Sequence, residues 1–115
     1  MSNNYFFTIR KGDTFSHAVT IKQNDSLLDM TNFTFSMDIR SCIDDSSTIL
    51  ELTQANNRID TSLVDQGVII LRIDAADTLN LSPQKGVYDL EWVDTNGDTK
   101  TILQGVVEII ETVTR

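Results

Sequence analysis

The chain has 115 residues, 40% of them hydrophobic and 23% charged, enough for a single domain over residues 1–115 and without a stretch polar enough for disorder. Its 9 basic and 17 acidic residues give a net charge of −8, and the basic ones stand singly from Arg10 to Arg115. Phosphate neutralisation needs clustered Lys and Arg, so nucleic acid is not an expected partner.

Hydrophobic periodicity then predicts about seven short strands. Tyr5 to Arg10, rich in aromatic and β-branched residues, reads as an edge strand, and Lys11-Gly12-Asp13 turns the chain. Thr14 to Lys22 alternates Phe15, His17, Val19 and Ile21 against Thr14, Ser16, Ala18 and Thr20, a period of two with one side destined for a core. Gln23-Asn24-Asp25-Ser26 reads as a loop. Phe33 to Ser41 puts Phe33, Phe35, Met37 and Ile39 on one face and Thr34, Ser36, Asp38 and Arg40 on the other. Ile43 to Ser47 is a polar loop, Thr48 to Thr53 a short strand, and Arg58-Ile59-Asp60 a brief edge pairing.

Val68 to Ile73 is an almost continuous apolar run, suited to a central strand covered on both faces. Ala75 to Leu81 is the helical candidate, with Asp74 as its cap. Gly86 to Val93 and Thr101 to Ile109 form a hairpin around Asp94-Thr95-Asn96-Gly97-Asp98, where Asn-Gly supplies positive-φ positions. Gly105 inside the last strand signals a bulge or a close backbone approach.

Short strands, regular turns and one short helical crossover specify an all-β fold, an immunoglobulin-like antiparallel β-sandwich. Gly86-Val87-Tyr88-Asp89-Leu90 has the spacing of a tyrosine corner, with Leu90 where antibody domains carry a cysteine. A small barrel satisfies the same alternation.

No residue set points to catalysis. His17 is the sole histidine and has no nucleophile or orienting partner in sequence, which predicts a structural or surface role. Cys42, the sole cysteine, rules out an internal disulfide, fits folding in a reducing cytoplasm, and reads as a passive thiol. Asp94 to Asp98 opens like a calcium loop, but its twelfth position is Gly105 and both flanks read as strand, so a hairpin turn is expected. Asp44-Asp45, and Asp74 with Asp77, sit in loop or cap positions where aspartate bonds backbone. Phosphate loops, nucleophile elbows and zinc motifs are not present in the sequence, so neither an enzyme nor a cofactor is expected. The first residues lack a basic, apolar leader and no apolar run approaches about 20 residues, so neither a cleaved export signal nor a membrane partner is expected. Asn32-Phe33-Thr34 and Asn80-Leu81-Ser82 match the glycosylation triplet without that context.

Tyr5, Phe6 and Phe7 form an aromatic cluster. As a strand they alternate between core and surface; as an arm they are the candidate partner-binding residues, since aromatics dominate interface hot spots and strand addition suits an edge.

On Lys11-Gly12-Asp13-Thr14-Phe15, Phe33 to Arg40, Gly67 to Ile73, Thr78, Leu79 and Leu81 before Gly86 to Leu90, Gly105-Val106-Val107 and the closing Val113-Thr114-Arg115, the chain resembles small virion proteins of tailed bacteriophages. The likeness is to the N-terminal immunoglobulin-like module of baseplate upper proteins and to tail-fibre attachment domains. It implies a non-enzymatic structural protein, assembled in the bacterial cytoplasm and present in several copies or as a homo-oligomer in the particle, whose partners are other virion proteins. In that family the module is followed by a linker and further domains; the stop at Arg115 points to a free-standing adaptor, or to a capsid decoration protein. A carbohydrate-binding module using Trp92 or Tyr88 as stacking platforms is the alternative of another class, and their core-face alternation opposes it.

Overall fold

The computed structural model describes residues 3–41 and 48–111. Along them run β1 (Asn3–Asn4), β2 (Phe7–Arg10), β3 (Phe15–Thr20), β4 (Lys22–Gln23), β5 (Ser26–Leu27), β6 (Thr34–Arg40), β7 (Thr48–Thr53) and β8 (Ile59–Asp60). A 3-10 turn (Val64–Gln66), β9 (Val68–Ile73), the helix α1 (Ala75–Leu79), β10 (Gln84–Val93) and β11 (Thr99–Ile110) complete them.

One sheet has β10 at its centre, antiparallel to β6 and β11, with β7 beyond β6. Both β1 and β2 lie parallel along the outer edge of β11. The second sheet is β3-β9-β8, antiparallel throughout, while β4 and β5 form a separate hairpin. This strand order, β6-β10-β11 in one sheet and β3-β9-β8 in the other, is that of an immunoglobulin-like sandwich, with β7 as an added strand. The two parallel pairings are its departure from a purely antiparallel pattern.

Alternation sorts the two faces. Strand β6 buries Phe35, Met37 and Ile39, β10 buries Tyr88 and Leu90, and β9 buries Ile69, Leu71 and Ile73. These join Phe7, Ile9, Leu103, Val107 and Ile109 in one core between the sheets, each large apolar side chain contributing roughly 1.5–3 kcal/mol on burial. The expectation that β9 is covered on both faces needs correction. Its second face, Val68 and Ile70, is half-buried and Arg72 is exposed.

Local chemistry explains three further departures. Asn24 and Asp25 both have positive φ, 54° and 65°, so the segment read as a loop is the tight two-residue turn of the β4-β5 hairpin. In the β10-β11 turn Gly97 is in the left-handed region at φ 85° but Asn96 is not. There an Asp94 carboxylate oxygen accepts from the Asn96 and Asp98 amides at 2.9 and 3.0 Å, fixing an Asx turn.

Asp74 stands at the N-cap of α1, yet its side chain makes no capping bond and instead accepts from Arg72 Nε at 3.3 Å. Thr78 anchors the helix. Its buried hydroxyl accepts from the Gly12 amide at 3.0 Å and lies 2.8 Å from the Asp13 carbonyl and 3.1 Å from that of Ala75, both acceptors. A residue of the crossover thus ties down the β2-β3 turn.

Candidate partner-binding face

The N-terminal arm is the least regular part of the sheet, and one glycine explains its course. Asn3 and Asn4 pair with Leu103 and Gln104, and Phe7 to Arg10 pair with Val107 to Ile110. Between them Tyr5 and Phe6 leave the ladder, so the strand expected over Tyr5 to Arg10 begins only at Phe7, and a separate short pairing precedes it at Asn3–Asn4. A Cβ on Gly105 would fall on the Tyr5 carbonyl oxygen and 3.1 Å from its amide nitrogen. Gly105 is therefore the close backbone approach; the bulge in this pair lies farther along, where Ile102 of β11 is the extra residue opposite the step from Leu90 to Glu91.

Tyr88 stands directly across from Gly105. Its hydroxyl donates to the Tyr5 carbonyl at 2.7 Å, and its ring packs on Phe7 with centroids 5.0 Å apart. An aromatic residue thus covers the gap left by a cross-strand glycine. The tyrosine-corner expectation is corrected accordingly. That motif bonds backbone a few residues upstream, whereas this hydroxyl reaches 83 residues back to the arm. Burial, and secondarily Tyr5, raise the Tyr88 phenol above its ordinary pKa, so it remains a donor.

The structure divides the aromatic triplet. Phe7 is only 3% exposed and belongs to the domain's own core, whereas Tyr5 and Phe6 are 46% and 53% exposed. A partner meeting the native fold touches only the latter two. They rim a groove of about 940 Å³ on the outer face of the larger sheet. Its floor is apolar at Val87 and Val106 and carboxylate-bearing at Asp38, Asp89 and Glu91, with Arg40 bonded to Asp38 at 3.1 Å. Sequence alternation puts these residues on wet faces, but which neighbour each one meets depends on register across β11, β10 and β6.

Under the arm, His17 packs against the rings of Tyr5 and Phe7, with centroids 5.1 and 5.0 Å away. Burial pushes the imidazole below its ordinary pKa, so folding favours the neutral form. The unfolded chain then binds the proton more readily, and stability falls as pH drops below about 6.5, levelling off beneath the folded-state value. Urea midpoints measured between about pH 7.5 and about pH 5 should fall for the native protein, with a shallower slope for His17→Gln. An unchanged slope would show that another group carries the dependence.

Other residues singled out from the sequence lie apart from this face. Asp74 and Asp77 take different arginines, Arg72 at 3.3 Å and Arg58 at 3.1 Å, so each is a salt-bridge partner. Tyr88, 4% exposed, presents no ring face to solvent for a sugar. Trp92 is half-buried, edge-on to Phe33 at 5.2 Å with Lys100 5.8 Å from its ring. Cys42, the Asp44-Asp45 pair and Val113 to Arg115 fall outside the described residues. Among the described residues there is no group of three metal-ligating side chains, and no helix is long and apolar enough to cross a membrane.

No protein-family model matches this chain, and comparison with curated proteins gives no match.

Proposed function

We propose that this chain is a non-enzymatic structural protein of a tailed-phage particle, an adaptor or attachment subunit of the tail, baseplate or fibre region. The observation that carries the reading is the pair Tyr5 and Phe6, half-exposed at the rim of a groove whose opposite sheet face is a finished core. Exposed aromatic side chains beside a sheet face are what a docking surface needs, since aromatics dominate interface hot spots. The resemblance to baseplate and fibre-attachment modules supplies the setting. In a particle the domain acts as a rigid block, and repeated copies multiply a modest affinity per site.

Quantitative mass spectrometry of purified particles, with heads and tails separated, tests this. Recovery with tails in small multiples of three or six copies is the expected result. Recovery with heads in hundreds of copies would make it a decoration protein, and absence from particles would overturn the structural reading altogether.

A further inference from the structure

Register places the groove's charges in a definite pattern. Asp89 of β10 lies directly opposite Asp38 of β6, and Asp38 is opposite Glu51 of β7, so carboxylates stand side by side across three adjacent strands. Glu91 lies on the same outer face of β10, two residues on. Like charges directly opposite one another destabilise a sheet. The Arg40 guanidinium pairs with Asp38 at 3.1 Å, and it stands in the next row, opposite Val87. Val87 is itself opposite Val106 of β11, so an apolar row with Phe6 at its rim runs beside the acidic one.

We propose that this groove takes a segment of another protein that presents a lysine or arginine beside an apolar side chain. The apolar group lies on Phe6, Val87 and Val106, and the cation meets Asp89, Glu91 and Asp38. A partner's cation is attracted by the carboxylates of this row, so charge complementarity favours such a segment over other occupants. A second copy of this chain fits poorly, because the net charge is −8 and its basic residues are dispersed. Anionic membranes and nucleic acids are repelled by the same row. The inference rests on the assembly reading above and adds the chemistry of the partner.

The test titrates the isotope-labelled full-length chain with a short blocked peptide alternating lysine and leucine, and with its counterpart carrying glutamate for lysine. The lysine peptide is expected to shift the amide resonances of Phe6, Val87, Asp89, Gln104 and Val106. Its affinity should drop about tenfold in the near-isosteric double variant Asp89→Asn, Glu91→Gln and in high salt. Equal response to both peptides, shifts confined to another face, or an unchanged spectrum at millimolar lysine peptide would each overturn it. Failure here leaves the particle measurement to decide the assembly reading. Absence of the chain from particles removes that reading while the groove's preference is still measured.

Discussion

Replacing Gly105 with alanine should lower the stability of the domain by roughly 2–4 kcal/mol and release the N-terminal arm. The Tyr5 carbonyl occupies the place of the missing side chain, so the new methyl group and the arm cannot both stay. If the arm moves, the Tyr5 amide loses the Gln104 carbonyl at 3.0 Å and the buried Tyr88 hydroxyl loses its acceptor. The Phe7 ring would also be drawn from its contacts with Phe15, His17 and Tyr88. Urea unfolding measures the stability change, and amide exchange at Tyr5 and Phe7 reports the arm. Gly97→Ala is the control. A Cβ there meets nothing within 4 Å, and only the positive φ of 85° opposes it, a cost of about 1 kcal/mol. Equal effects at the two positions would show that backbone conformation, not the arm's approach, sets the requirement at Gly105.

Leu90→Ala is the second large effect, about 2–5 kcal/mol. Leu90 is fully buried at the centre of the sheet, opposite Met37 of β6 and Leu103 of β11. It occupies the position where antibody domains place an inter-sheet cysteine, so here packing performs the tie that a covalent bond performs there. Truncation leaves a cavity that the neighbouring strands cannot close without breaking their ladders. The melting temperature should fall by roughly 8–20 °C. Leu79→Ala, on the exposed side of α1, should change stability by no more than about 0.5 kcal/mol. A comparable loss from both substitutions would contradict the core assigned here.

Much of this fold was legible in the sequence because alternation is a local signal. Phe35, Met37 and Ile39 against Ser36 and Asp38, or Tyr88 and Leu90 against Asp89, set their own inside and outside with no knowledge of a partner strand. Contacts between distant segments were not legible. Nothing near Tyr88 shows that its hydroxyl would find Tyr5, and the spacing that suggests a local corner instead serves a bond between the N-terminal arm and the last strand pair. The break in the arm follows from Gly105, one hundred residues away in sequence, where bulge and close approach leave the same mark. The aromatic triplet was visible as a cluster, but its division into a buried Phe7 and exposed Tyr5 and Phe6 depends on where β2 begins to pair with β11. The acidic row across Asp89, Asp38 and Glu51 exists only through strand register, which composition and periodicity do not encode.

The arm face is central to this account, and mixed assembly tests it most directly. Wild-type chain and a Phe6→Ser variant, supplied in equal amounts during particle formation, are counted in the finished particles by mass spectrometry. Phe6 is half-exposed and outside the core, so the variant should fold as the wild type does, which matching urea midpoints would verify. Phe6→Ser should be depleted about tenfold, as expected for loss of an interface anchor. Recovery of the two chains in the ratio supplied would contradict it.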